Sequence, residues 1–384
     1  MKAIGFIPLR KGSKGILGKN KRKMLGRPLF CWVLTEAIFS KLDEIIVFTD
    51  DEEIIDFIET QFHWSKKVKA VLRSEESATD TASTEAAILE YSKAVDYNFD
   101  LFCLLQATSP FTTLDDINAG ISKIEEGADA SLSVVKTHRF TWDSNGKSLN
   151  YDYKNRPRRQ DFKGLLVENG AVYCTTTKAL KSSRNRISGN ITPFEMPEVS
   201  YTEIDSEADW LSAENLLATR LRNQKESKKI THLVLDVDGV FTDGKVLFSE
   251  NGELAKSFDM RDGMGLEILR QHQVTVMVMT SENSALVAAR MKKLKIDTVF
   301  LGAKDKFGLL QEYCIKNNLA MSSLAYVGDD VNDMANMCCV GWSFAPQNAM
   351  DEIKRIADVN LAKKSGEGAI REVAQFIQKY NTRF

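Results

Sequence analysis

The sequence lacks most of the features that would tie it to a membrane, a nucleic acid or an oxidising compartment. Its six cysteines (Cys31, Cys103, Cys174, Cys314, Cys338 and Cys339) are scattered, and none forms a C-x-x-C pair. With only four widely spaced histidines there is no zinc pattern either. Several of the cysteines sit in apolar runs, where free buried thiols are common, and this suits a reducing cytoplasm. No apolar stretch is long enough to span a bilayer, and the run Ile4 to Leu9 is too short for a signal peptide. The net charge of -2 gives no reason to expect nucleic acid or an anionic membrane as partner. Internal repeats and low-complexity segments are also missing. What remains is an ordinary globular composition. With 384 residues, 43% apolar and 27% charged, the chain is long enough for two or three domains, each with its own core.

The most telling stretch is Leu233 to Gly244. It starts as a Val/Leu run broken by Asp236, the pattern of a strand buried on both faces of a parallel sheet. Asp236 and Asp238 are two apart, so both side chains point the same way where Gly239 ends the strand. Adjacent carboxylates at a strand end repel and lose hydration, which a bound cation or a shared proton relieves. One of them can attack phosphorus while the other handles the proton. Further strands at Val274–Met279, 298–301 and 324–327 end in Thr280, in Lys306 a few residues on, and in Asp329-Asp330. One sheet edge thereby collects a carboxylate nucleophile, a hydroxyl donor, a fixed cation and hard oxygen ligands, the parts phosphoryl transfer needs. Glu250-Asn251-Gly252 between alternating segments signals a hairpin from Lys245 to Phe258.

The first half alternates strand and helix in its own way. Strands are expected at Ala3–Leu9, Glu44–Thr49, Val68–Leu72, Leu101–Leu105, 130–136 and 171–175, with a helix at 28–40. In a mainly parallel sheet ligands bind beyond the carboxyl ends of the strands, and Arg10, Asp50, Arg73 and Gln106 sit at such ends. After the first strand comes a glycine-rich basic loop with Gly12, Gly15 and Gly18, Ser13, and Arg10, Lys14 and Lys19. It is either a triphosphate cradle or a solvated turn, and it is not a Walker A loop. Residues 137–163 show no helix or strand period and carry Trp142 and the cluster Arg156 to Arg159. They are either an arm toward a partner subunit or a long exposed loop. Glu203 and Asp205 alternate in a short extended stretch, and Ser206 with Asp209 reads as a capping box for a helix faced by Trp210, Leu217 and Leu221. The charged run 222–229 lacks apolar periodicity and marks the domain border. The fold class expected is therefore α/β, with two Rossmann-like domains.

At these residues two resemblances appear. Residues 1–222 resemble the N-acylneuraminate cytidylyltransferases through Arg10 to Gly15, Lys19-Asn20, Asp80-Thr81, Gln106 to Pro110, Arg158 to Gln160, Glu168 to Gly170 and Glu203 to Asp205. Residues 230–384, after a linker at 223–229, resemble haloacid-dehalogenase-like phosphatases of the deoxy-octulosonate and nonulosonate phosphatase subgroup. That match runs through Asp236 to Gly239, Thr242 to Gly244, Arg261 to Gly263, Thr280, Lys306, Gly328 to Asp330 and Gly366 to Gly368. Animal cytidylyltransferases of this family have the same two-part layout.

The first resemblance implies activation of a nonulosonic acid by CTP. Arg10, Gly12, Ser13, Lys14, Lys19, Asn20 and Arg73 would hold the nucleotide, and Lys19 counts among the catalytic residues as well. Gln106, Arg159 and Tyr173 would hold the sugar acid, with Arg158 competing for the role of Arg159. Asp205 would bind magnesium, and Glu203 stands where bacterial relatives often have Asp. The second resemblance implies that Asp236 becomes an aspartyl-phosphate while Asp238 serves as acid and then base. Thr280 and Lys306 would hold phosphoryl oxygens. Asp329, Asp236 and the Asp238 backbone carbonyl would ligate magnesium, with Asp330 and Asp333 as lesser candidates. Gly366-Glu367-Gly368 replaces the Gly-Arg-Gly of octulosonate phosphatases, which turns the expectation toward a nonulosonate 9-phosphate and away from an octulosonate 8-phosphate. The subgroup also implies a homotetramer. A cytidylyltransferase with an assembly module in place of a working phosphatase is the competing reading.

Overall fold

Each half of the chain is built around one strand whose apolar residues leave it nowhere to go but the middle of a sheet. In the computed structural model, which describes residues 1–12 and 15–384, that strand in the first half is β1 (Ala3–Leu9), with all but Pro8 buried. Two short strands, β2 (Lys23–Met24) and β3 (Arg27–Pro28), follow. The rest of the first half comprises β4 (Glu44–Thr49), β5 (Val68–Leu72), β6 (Leu101–Leu105), β7 (Ala130–Thr137), β8 (Leu165–Thr176) and β9 (Ile191–Glu195). The second half has β10 (His232–Leu235), β11 (Leu247–Ser249), β12 (Gly252–Ala255), β13 (Thr275–Met279), β14 (Thr298–Phe300), β15 (Leu324–Val327), β16 (Trp342–Ala345) and β17 (Val359–Asn360). Two compact units result: Met1–Arg22 with Pro28–Ala213, and Lys23–Arg27 with Glu214–Phe384.

The first unit holds a seven-stranded sheet in the order β5-β4-β1-β6-β8-β7-β9. β1 pairs in parallel with β4 and with β6, and only the pairings of β8 are antiparallel. The strand order reverses beside β1, which opens a crevice at the carboxyl edge. On one face of the sheet lies an aromatic cluster around Phe6, whose ring centre is 5.3 Å from Phe48, 5.6 Å from Tyr91 and 5.1 Å from Phe102. The helix expected at residues 28–40 is Leu29–Phe39. The expected capping box forms: Ser206 Oγ accepts from Asp209 N at 3.2 Å and Asp209 Oδ2 accepts from Ser206 N at 2.8 Å. It opens the helix Glu207–Asn223, which buries Trp210 and Leu217.

The structure extends the sequence reading in one place. β8 begins at Leu165, well before the expected start at Ala171. The register against β7 shifts between Leu132 and Val134, and Gly170 takes φ 71°, so the strand passes through a bulge that the sequence presents as a turn. Asn169 stabilises the irregularity by accepting from Ser133 Oγ at 2.6 Å and donating to Ser200 Oγ at 2.9 Å. Residues 138–164 form no regular element beyond an isolated bridge between Trp142 and Ser148. Their side chains stack on one another, with Phe140 and Tyr151 ring centres 4.1 Å apart and the Arg156 guanidinium 4.7 Å from the Phe140 ring.

The second unit holds a six-stranded parallel sheet, β14-β13-β10-β15-β16-β17. The apolar run before Asp236 is its central strand, fully buried from Leu233 to Leu235. The order reverses between β10 and β15, so Asp236 and the Gly328-Asp329-Asp330 turn flank the switch point. The hairpin forms as expected but shorter, as β11 and β12. No helix among the described residues is long and apolar enough to cross a membrane. All six cysteines are free thiols, five of them buried.

Phe6→Ala removes the centre of the aromatic cluster and is expected to destabilise the first unit by about 3–5 kcal/mol. A urea titration would show this as a lower midpoint for that unit, and an unchanged midpoint would contradict the packing.

Candidate active sites

In the second unit, β10 delivers Asp236 to the sheet edge and Gly239 then turns the chain with φ 84°. A Cβ at Gly239 would run into the Asp329 carboxylate, and one at Gly328 would lie 2.5 Å from Asp333 Cβ. Both glycines are needed for the two acidic turns to close on each other. The result is a cluster in which oxygens of Asp236, Asp329 and Asp333 all lie within 4.8 Å of one another. Lys306, first residue of the helix Lys306–Lys316, inserts a fully buried ammonium beside them, 2.9 Å from Asp236 Oδ2 and 2.8 Å from Asp333 Oδ1. Tyr326, in the centre of β15, donates its hydroxyl to Asp333 Oδ1 at 2.7 Å, and Asp329 N donates to Asp333 Oδ2 at 3.2 Å. Both Asp333 oxygens thereby accept hydrogen bonds, which ties the turn after β15 to Lys306 and Tyr326. Thr280, 2% exposed, follows β13, and its hydroxyl accepts from Glu282 N at 3.2 Å.

Charge in this cluster is expensive. Burial raises the pKa of Asp236, which Lys306 opposes and Asp333 reinforces. Burial pushes Asp329 up to about 8, helped by Asp236 and Asp333. Lys306 goes the other way: burial disfavours its charge, but the facing carboxylates of Asp236 and Asp333 outweigh that and hold its pKa above the ordinary lysine value. One lysine does not compensate three acids in a dry site, so Asp236 and Asp329 resist ionisation. Asp329 Oδ1 is buried with no hydrogen-bond partner. A hard divalent cation fits both observations, with carboxylate oxygens as its ligands.

Asp238, whose backbone carbonyl rather than carboxylate is the expected ligand, gives its side chain a separate partner. Its carboxylate is not one of the three clustered acids; both oxygens accept from Lys256 Nζ at 2.8 Å. Sequence reasoning missed Lys256, which lies 18 residues from its partner across the hairpin, and missed Tyr326, which reads as one more core residue of an apolar strand. The local signal for Tyr326 was a hydroxyl in an otherwise apolar strand, and Lys256, beside Ser257 and near Glu253, gave none.

In the first unit the expected nucleotide residues gather at the carboxyl end of β1. Asn20 Nδ2 donates to Arg10 O at 3.1 Å, and Arg10 pairs with Asp80 at 2.9 Å. Asp50 Oδ1 accepts from Lys11 N at 2.9 Å. Arg73, 8% exposed, donates to Leu9 O at 3.4 Å and to Ser77, so it braces the strand end from beneath. Lys19 reaches Ile204 O and lies 3.2 Å from Asp205 Oδ1. A Cβ at Gly15 would come 2.6 Å from Asp205 O, so Gly15 packs directly against the backbone of Asp205. Glu203 and Asp205 are exposed on either side of buried Ile204, the alternation expected of them. Gly12 has open space around it, while Ser13 and Lys14 lie outside the described residues.

The sugar-acid candidates are less tightly joined. Gln106 follows β6, with its N donating to Ala171 O at 3.0 Å. Tyr173, on β8, donates to Glu168 Oε2 at 3.0 Å, and burial together with that carboxylate pushes its pKa up to about 12. Arg159 and Arg158 are exposed in the irregular segment.

Comparison with known proteins identifies the family of each half. The cytidylyltransferase family matches residues 4–188, and the haloacid dehalogenase-like hydrolase family matches residues 266–373. N-acylneuraminate cytidylyltransferase B of Danio rerio is 32% identical over 97% of this chain and 89% of its own length. The chain belongs to the N-acylneuraminate cytidylyltransferase family. The Oncorhynchus mykiss member is likewise 32% identical, over 97% of this chain and 87% of its own. The second unit is also similar to the 3-deoxy-D-manno-octulosonate 8-phosphate phosphatase KdsC of Haemophilus influenzae, at 33% identity over 40% of this chain and 86% of that protein. The chain thus joins a cytidylyltransferase half and a haloacid-dehalogenase-like phosphatase half.

Asp329→Asn removes a carboxylate that has no other partner for its inner oxygen. It is expected to weaken one equivalent of bound manganese, used as a probe ion in equilibrium dialysis of the full chain, by more than about tenfold. Unchanged stoichiometry and affinity would place the ion elsewhere.

Proposed function

We propose that the chain is a bifunctional enzyme. Its phosphatase half releases phosphate from a nonulosonate 9-phosphate, and its cytidylyltransferase half then activates the free acid with CTP. The catalytic halves are residues 1–222 and 230–384, joined by 223–229. The observation that carries the reading is the intact set Asp236, Asp238, Thr280, Lys306 and Asp329 at one sheet edge. An assembly module would have no need to bury a lysine among acids, because such pairs cost desolvation and are rarely kept for stability alone.

In the phosphatase half, Asp236 is the nucleophile. The Lys306 ammonium beside it draws negative charge off the attacking oxygen and the phosphoryl group, and Thr280 donates a hydroxyl to the same group. Asp238 protonates the departing alcohol and afterwards takes a proton from the water that hydrolyses the acyl phosphate. Asp236 and Asp329, with the backbone carbonyl of Asp238, would hold magnesium, which supplies charge neutralisation for the phosphate when bound. The substrate choice follows from Glu367, where octulosonate phosphatases resemble one another in having arginine, and from the chemistry of the attached half.

In the cytidylyltransferase half, the 2-hydroxyl of the acid attacks the α-phosphorus of CTP and pyrophosphate leaves. Arg10, Ser13, Lys14 and Lys19 hold the triphosphate, and Asn20 and Arg73 shape the nucleotide site. Gln106, Tyr173 and one of Arg158 and Arg159 hold the sugar acid, with the arginine facing its carboxylate. Asp205, with Glu203 beside it, would carry magnesium near Lys19. The exposed apolar side chains of the hairpin, Leu247, Phe248 and Leu254, support a homotetramer in which hairpins meet. The free thiols support a cytoplasmic location.

Purified protein with magnesium, CTP and a panel of nonulosonic acids is expected to yield a CMP-sugar. Asp236→Asn is expected to lower phosphate release from nonulosonate 9-phosphate by about a thousandfold and leave CMP-sugar formation within about twofold. If wild type releases no more phosphate than this variant, the second half is an assembly module. Faster release from octulosonate 8-phosphate would overturn the substrate assignment.

A further inference from the structure

Asp236 and Asp238 leave the same strand end, yet they take different partners. Asp236 pairs with Lys306 at 2.9 Å and joins Asp329 and Asp333, whereas Asp238 is gripped through both oxygens by Lys256. The Lys256 side chain is 1% exposed and that of Asp238 27%, so the lysine lies behind the acid and the acid faces outward. Lys256 directly follows β12 and has a second anchor in Glu253, at 3.3 Å. Glu253 accepts from Ser284 Oγ, and Ser284 caps the helix Ala285–Lys293. Thr242 Oγ1, 3.5 Å from Asp238 Oδ1, makes a weaker contact with the acid. The chain Asp238–Lys256–Glu253–Ser284 therefore ties three separate elements together at the mouth of the site.

We propose that Lys256 is a positioning residue for proton transfer. It holds the Asp238 carboxyl out of the cation cluster, where the leaving oxygen of a phosphate ester arrives. The proposal rests on the phosphatase reading. In the step concerned, an Asp236 oxygen bonds to phosphorus, and the bond from phosphorus to the alcohol oxygen breaks. The electron pair stays on that oxygen, which takes the proton of the Asp238 carboxyl. The Asp238 carboxylate then accepts a proton from water as that water attacks phosphorus and releases Asp236. Lys256 stays beside the carboxyl throughout and exchanges no proton. Without it, nothing among the described neighbours would hold Asp238 apart from the cluster except the weak Thr242 contact.

A positioning role separates from a structural one by leaving group. An alkoxide leaves poorly without a proton, whereas nitrophenolate leaves unaided. Lys256→Met is expected to lower kcat on a sugar-acid phosphate by about a hundredfold and on p-nitrophenyl phosphate by less than about fivefold, while Lys256→Arg brings the ratio of the two rates back within about threefold of wild type. Equal losses on both esters would overturn the proposal. If Lys256→Met does not fold, Glu253→Gln loosens the lysine without leaving a buried cation unpaired. It is expected to shift the same ratio in the same direction by about threefold or more, and an unchanged ratio would overturn the proposal. Wild type that hydrolyses neither ester refutes the phosphatase reading and the proposal with it, an outcome distinct from uniform slowing in the variant alone.

Discussion

The second half of this protein depends on a single buried ammonium. Lys306 is enclosed at the start of its helix with carboxylates at 2.8 and 2.9 Å, and neither partner is able to leave without stranding a charge in a dry site. Breaking such a pair from one side costs about 3–5 kcal/mol, which is why the loops after β10 and β15 are locked in mutual position. The lysine neutralises only part of the acidic cluster. The remainder keeps Asp329 hard to ionise and its inner oxygen unpartnered, a deficit that a hard cation would relieve. Structural rigidity and the charge deficit of the cluster thus have one electrostatic origin.

The first half solves a related problem by different means. Its basic groups are not gathered into one acidic cluster: Arg10 and Lys19 flank the glycine-bearing loop after β1 and Arg73 follows β5, each with its own acidic or backbone counterpart. Arg10 leans on Asp80, Lys19 on Asp205, and Arg73 on the carbonyl of Leu9. Solvent reaches the Arg10–Asp80 pair and the Asp205 carboxylate, so these contacts are weak and exchangeable, whereas Arg73 is buried and fixed. The two halves therefore present a dry acidic cluster in one unit and a more open basic edge in the other.

Much of this was legible in the sequence because buried parallel strands announce themselves as apolar runs and their chemistry sits where the run stops. Asp236, Thr280 and Asp329 were readable on that basis, as were Arg10, Arg73 and Gln106. Lys256 was not, since its meaning depends on a hairpin folding back over 18 residues, and no local period encodes that contact. Tyr326 was hidden by the hydrophobic strand that carries it. The start of β8 was misplaced because Glu168-Asn169-Gly170 has the composition of a turn, and only pairing with β7 reveals a bulge. Residues 138–164 gave no period because aromatic stacking, not backbone pairing, organises them.

The claim at the centre is that Asp236 forms a covalent bond to phosphorus. Quenching the enzyme during turnover of nonulosonate 9-phosphate and reducing it with borohydride converts an aspartyl phosphate to homoserine, which peptide mass spectrometry locates. The account predicts homoserine at position 236. Reduction at another residue, or none while phosphate is being released, would contradict it.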